Sequence, residues 1–116
     1  MSKIIDDYND FHAILKTEKC IFVLFYTSWC PFSKRFLPIF ENTTDNKNET
    51  FLRICVEDQD LLCTKYNIEV FPTVIFFKNE RIADRLNALP GIGLNEKQLK
   101  CFIDDCKKNY YESISI

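Results

Sequence analysis

The sequence predicts an α/β domain with a central mixed β-sheet of about five strands, flanked by about four helices. Three observations carry this. The run Ile21-Phe22-Val23-Leu24-Phe25-Tyr26 is apolar on both faces, as a strand covered by helices on each side must be. Strand-like and helix-like periodicities alternate around it, which gives βαβ units and parallel pairing. Later, two strand-like runs are joined by Lys78-Asn79-Glu80-Arg81, a tight turn that adds antiparallel strands.

Taken in order, Lys3-Ile4-Ile5 is a short strand. Asn9 or Asp10 is expected to cap a helix through about Thr17, with Phe11, Ile14 and Leu15 on its buried face. The 21–26 strand follows. Pro31 suits the first turn of the next helix, where its missing N–H costs nothing. Phe32, Phe36, Ile39 and Phe40 recur there at helical spacing, with Pro38 inside the pattern. Asn42 to Thr50 is polar and reads as a loop, and Phe51 to Val56 as a strand.

Asp58 or Asp60 is expected to cap a short helix ending near Tyr66-Asn67. Thr73 to Phe77 and Arg81 to about Leu86 form the hairpin, with Asn79 able to take a positive φ in its turn. Asn87 to Gly93 is a loop. Asn95-x-x-Gln98 resembles a capping box before a last helix with Leu99, Phe102, Ile103 and Cys106 on its core stripe. The tail after Lys108 is expected to fray.

The chain has 116 residues, the size of one domain spanning 1–116, and 47% of them are hydrophobic, enough for a core without staples. A formal charge of −2 gives no footprint for nucleic acid or an anionic membrane. No apolar run approaches the roughly 20 residues that span a bilayer. Met-Ser-Lys-Ile-Ile-Asp-Asp lacks the apolar region of a signal peptide, so a cytoplasmic setting with reduced thiols is expected. Six cysteines could instead form a disulfide scaffold, which is not expected where no leader is expected. A metal site is not expected: the only histidine is His12, read as a solvated helix residue, and no Cys-x-x-Cys pair exists. A monomer is expected.

The stretch with chemistry is Trp29-Cys30-Pro31-Phe32-Ser33, where the buried strand ends and a helix begins. A thiolate is the nucleophile of disulfide exchange, and a helix N-terminus stabilises it. Lys34 and Arg35, one turn on, are expected to add positive charge, and the Ser33 hydroxyl a hydrogen bond. Cys30 is therefore expected to be an activated nucleophile; the plainer reading is a small apolar filler. Cys20, Cys55 and Cys106 read as buried filler. Cys101 falls on the polar face of its helix and is expected to be exposed; Cys63 is ambiguous.

Trp29-Cys30 after a buried strand, Pro38 eight residues beyond Cys30, Phe71-Pro72-Thr73 before the hairpin, and a closing amphipathic helix agree in order and position. Together they resemble the thioredoxin family across nearly the whole chain. The resemblance implies a thioredoxin fold, thiol–disulfide exchange through Cys30 and a cis-proline at Pro72. It also implies a client-binding rim that includes Trp29, Pro31, Phe71 and Pro72.

This chain departs from the family pattern in four places. Ser33 replaces the second, resolving cysteine. Leu24 stands where the family usually carries a buried Asp, Glu80 where a turn Gly is common, and the Asn87–Gly93 loop is longer. Ser33 and Leu24 are mutually consistent, because a buried carboxylate serving a resolving thiol has no use without that thiol. Arg53, which would face that Asp, is expected to turn to solvent or to Glu57. With no sulfur at position 33, a mixed disulfide on Cys30 must wait for glutathione, a second client cysteine or another protein thiol. This favours isomerisation, deglutathionylation or client retention over net reduction, with cysteine-containing proteins as partners and no cofactor. Two alternatives stand beside it. One is a redox-silent binding module on the Trp29/Phe71/Pro72 surface. The other is a glutaredoxin-like glutathione or iron–sulfur carrier, which Cys-Pro-Phe-Ser also resembles, although the Gly-Gly stretch of that family is missing.

Overall fold

The computed structural model describes residues 2–43, 50–57 and 60–110. In chain order the elements are β1 (Lys3–Ile5), α1 (Tyr8–Thr17), β2 (Cys20–Tyr26), α2 (Pro31–Thr43), β3 (Thr50–Cys55), α3 (Asp60–Lys65), β4 (Thr73–Lys78), β5 (Arg81–Asn87) and α4 (Glu96–Tyr110). One five-stranded sheet has the order β1-β3-β2-β4-β5. β3 pairs in parallel with both β1 and β2, while β4 is antiparallel to β2 and to β5. This is the mixed sheet expected from early βαβ units and a late hairpin.

β2 is central because its side chains are apolar in both directions. Ile21, Val23 and Phe25 enter a cluster with Phe11 and Leu15 of α1 and Leu62 of α3. Phe22 and Leu24 enter the opposite cluster, with Phe36 and Phe40 of α2 and Leu99, Phe102, Ile103 and Cys106 of α4. The period of two along a strand thus sorts one apolar run into two cores. Aromatic rings fill both: Phe22 lies 4.7 Å from Phe76, and Phe11 meets Phe77 edge-on at 5.7 Å. Burying each such side chain contributes about 1.5–3 kcal/mol relative to exposure.

Helix ends follow from local chemistry. At the start of α4 the Asn95 side chain accepts from the Gln98 amide at 2.8 Å, and Gln98 accepts from the Asn95 amide at 2.9 Å. This is the reciprocal capping box read from the sequence. At α1 the cap is Asp7, extended and accepting from the Asn9 amide at 3.2 Å; Asn9 and Asp10 lie inside the first turn. Asp60 is the first residue of α3 rather than its cap, and Asp58 lies outside the described residues.

Other expectations are corrected. α2 continues through Asn42 and Thr43, and the Thr43 hydroxyl donates to the Ile39 carbonyl at 2.8 Å. The rest of the expected loop, 44–49, lies outside the described residues. Of the tail expected to fray after Lys108, Asn109 and Tyr110 belong to α4, and 111–116 lie outside the described residues. The Tyr110 hydroxyl donates to the Ala83 carbonyl at 2.8 Å, and its ring packs 5.5 Å from Phe76. His12 is not simply solvated: its ring lies 4.3 Å from that of Tyr8 in a tilted contact, and its Nε2 lies 3.3 Å from Lys65 Nζ. Cys106 is fully buried and Cys101 exposed, but Cys20 and Cys55 are only half-buried.

Candidate functional site

α2 starts at Pro31, and the Cys30 carbonyl accepts its first helical hydrogen bond, from the Lys34 amide at 3.0 Å. Cys30 is therefore the N-cap residue. Pro31 occupies the first helical position, is exposed and has no N–H to leave unmet. The next two amides, of Phe32 and Ser33, have no carbonyl within the helix to bond. An N-cap side chain normally answers such amides with an oxygen; here the acceptor is sulfur. Burial pushes the half-buried Cys30 thiol up. The amides of Ser33 and Phe32, and the hydroxyls of Ser33 and Thr27, outweigh burial and hold it below the ordinary thiol value. Hydrogen bonds, rather than Lys34 and Arg35, set this lowering. The expected role of the two cations is corrected: both are exposed, and Arg35 Nη2 donates to the Ile92 carbonyl at 2.7 Å.

Ser33 stands one helical turn from Cys30 and is fully buried. Its Oγ accepts from the Thr27 amide at 3.3 Å, so the residue in the place of a second sulfur also ties α2 to the end of β2. Beneath it, Leu24 is fully buried among Phe36, Phe40 and Val74. Arg53 is the register partner of Leu24 on β3. It does not reach Glu57. Its Nε lies 4.0 Å from Glu41 on α2, with both side chains largely covered. Without an acid at position 24, the carboxylate available to Arg53 comes from the facing helix.

The Phe71–Pro72 peptide bond is cis. Phe25 on β2 is opposite Thr73 on β4, which sets Pro72 beside the end of β2 where Thr27 begins. The Pro72 carbonyl accepts from the Ala88 amide at 3.1 Å, and this fixes the root of the 88–93 loop. The far end of that loop presses on α2. Gly93 has φ +85°, and a Cβ there would lie 3.1 Å from both the Phe32 ring and Arg35 Nη2. The loop closes on itself through the Gly93 amide, which donates to the Leu89 carbonyl at 2.9 Å.

The four expected rim residues differ in exposure. Trp29 is 68% exposed and Pro31 is exposed, but Pro72 is buried and Phe71 is half-buried against the α1/α3 core. Ile92 and Leu89 of the long loop are also exposed, 64% and 52%.

Three residues contribute to the site in ways not expected from the sequence. Glu57 accepts from the Ser28 amide and hydroxyl, each at 2.5 Å, and so fixes the turn that carries Trp29. Those bonds hold its carboxyl below the usual range. Ile92 was hidden because nothing in a loop sequence gives its direction. Thr27 did carry a signal, as the first polar residue after the apolar run, three positions before Cys30. Among the described residues no group of three or more His, Cys, Asp or Glu side chains is placed to hold a metal, and no helix is long and apolar enough to cross a membrane.

Comparison with known proteins agrees with this geometry. The Thioredoxin family model matches residues 2–105. A thioredoxin of Mycoplasmoides gallisepticum is 35% identical over 96 residues, covering 81% of this chain and 96% of its own. Thioredoxin-1 of Caenorhabditis elegans is 31% identical over 110 residues, covering 92% and 85%. A solved thioredoxin structure from Plasmodium falciparum superposes with a TM-score of 0.80 at 27% identity, covering 89% of this chain and 97% of that one. The chain belongs to the thioredoxin family of thiol–disulfide redox proteins.

Proposed function

We propose that this chain performs monothiol thiol–disulfide exchange, forming mixed disulfides between Cys30 and cysteine-containing client proteins. The observation that carries the reading is the N-cap position of Cys30. Two backbone amides stabilise its thiolate there, and a buried Ser33 hydroxyl lies where a resolving thiol would be needed. Such a thiolate attacks a client disulfide readily. It has no neighbouring sulfur to expel the client, so the adduct waits for glutathione or a second client cysteine. The product is a rearranged or deglutathionylated client, or a retained one, rather than a net-reduced client. Trp29 and Pro31 contact the client beside Cys30, with the Phe71–Pro72 segment beneath. We place this activity in a reducing compartment, the cytoplasm, in a monomer without a bound cofactor.

A second reading is a binding module that uses no redox chemistry, and the 68% exposure of Trp29 favours it. Capture of cellular proteins on the chain, followed by mass spectrometry with Cys30→Ala as control, separates the two. Exchange requires that captured proteins be released by reductant and be lost with Cys30→Ala. Equal capture by wild type and Cys30→Ala means that the binding reading holds.

A further inference from the structure

Thr27 directly follows β2 at the site and is only 2% exposed, yet its Oγ1 makes no hydrogen bond of ordinary geometry. Among the described residues only Arg53 Nε shares that state. An unmet buried hydroxyl costs about 1–3 kcal/mol, so it calls for an explanation.

The surroundings supply one. The backbone amide of Thr27 donates to Ser33 Oγ at 3.3 Å, which fills a lone pair of Ser33 and leaves the hydroxyl proton of Ser33 free to turn elsewhere. Cys30 lies between these two residues in sequence and caps the helix that carries Ser33. A neutral thiol is a weak acceptor, whereas an anionic sulfur is a strong one. The Thr27 hydroxyl thus lacks a good partner beside a neutral thiol and gains one when the sulfur ionises. In agreement, it is among the groups that hold the Cys30 thiol low.

We propose that Thr27 is a catalytic residue of this site, forming with Ser33 a two-hydroxyl cradle whose hydrogen bonds are completed only when charge sits on the Cys30 sulfur. This rests on the exchange reading above and extends it to the release step. In that step a deprotonated small thiol or second client cysteine attacks the client sulfur of the Cys30 mixed disulfide. A disulfide forms between the attacking sulfur and the client. The Cys30–client bond breaks, and its electron pair leaves on Cys30 as thiolate. That thiolate accepts from both hydroxyls and from the Phe32 and Ser33 amides. One disulfide is exchanged for another, with no net oxidation or reduction. A leaving thiol of lower pKa departs faster, so the cradle speeds the step that the missing second sulfur would otherwise drive.

The test is Thr27→Val, nearly isosteric and without the hydroxyl, beside wild type and Thr27→Ser. Glu57, held at Ser28, and Lys34 and Arg35 of α2, the latter held at Ile92, stay constant throughout. Three readouts are taken: Cys30 alkylation against pH, urea stability, and release of a Cys30–glutathione adduct by added dithiothreitol. In Thr27→Val we expect the alkylation midpoint to move to higher pH and release to slow roughly three- to tenfold. Stability measured at low pH, where Cys30 is neutral, should be unchanged or higher, because an unmet donor has been removed. Thr27→Ser should keep the wild-type midpoint. If Thr27→Val fails to fold, Thr27→Ala must show the raised midpoint that Thr27→Ser does not. An unchanged midpoint and release rate in Thr27→Val, or lost stability with an unchanged pH profile, overturns the proposal. A wild-type Cys30 that titrates like free cysteine, or that forms no adduct, instead refutes the exchange reading itself.

Discussion

Arg35 and Ile92 are joined across the site: the guanidinium Nη2 of the first donates to the carbonyl of the second at 2.7 Å. The same guanidinium lies 5.4 Å from the Phe32 ring centroid. Arg35 is therefore a strut between α2 and the 88–93 loop. Arg35→Ala should leave the pH profile of Cys30 alkylation nearly unchanged while speeding hydrogen exchange at the Ile92 and Gly93 amides. A large shift of the alkylation midpoint would restore the cationic role that the sequence suggested.

Insulin reduction should be near background for this chain, because nothing at position 33 can expel a bound client. Ser33→Cys places a thiol one turn from Cys30. It should raise turnover on the order of tenfold or more through the effective concentration of a neighbouring group. A dead Ser33→Cys protein would implicate Leu24, which offers no carboxylate to carry the resolving proton.

Glu80 sits in the β4–β5 turn with φ 72°, next to Asn79 at φ 52°. Asn adopts that region more readily than Glu, for which it costs roughly 1–2 kcal/mol. Glu80→Gly removes this strain but adds unfolded-state entropy, so the net gain should be about 0.5–1 kcal/mol. Urea denaturation of the two proteins side by side checks it.

Cys106 gives the chain an alkaline weakness. Burial, with Asp84 and Asp105 nearby, pushes its thiol up from the ordinary value of 9.0 to about 12. In that window the unfolded thiol ionises and the folded one does not. Stability from this group is thus fully present below pH 9 and is lost as pH rises through about 12. Denaturation midpoints should fall on going from pH 8.5 to 10.5, and less steeply in Cys106→Ala at equal initial stability. The Cys30 thiol, held low, acts oppositely: its contribution is present at high pH and lost as pH falls through its folded value.

The fold was legible because its signals are local and redundant. The 21–26 run names the central strand by being apolar on both faces, and Asn95 with Gln98 marks the start of α4 to the residue. The position of Cys30 at a helix start was equally plain from Pro31. What escaped depends on direction in space. Asp7 took the α1 cap because Tyr8 could join the helix ahead of the candidates Asn9 and Asp10. Arg53 found Glu41, and Arg35 found Ile92, through long side chains whose reach no sequence spacing reveals. Phe71 turned into the α1/α3 core, while Leu89 and Ile92 turned out, a choice made by the hydrogen bonds of the loop.

The most direct measurement of the central claim follows a glutathione mixed disulfide made on Cys30. With Cys101→Ser removing the exposed alternative thiol, intact mass reports the adduct over time, with and without added thiol. The adduct should persist without thiol and disappear at a rate proportional to the thiol added. Release at a rate independent of added thiol would show that another group in the chain resolves it, and would contradict a monothiol mechanism at Cys30.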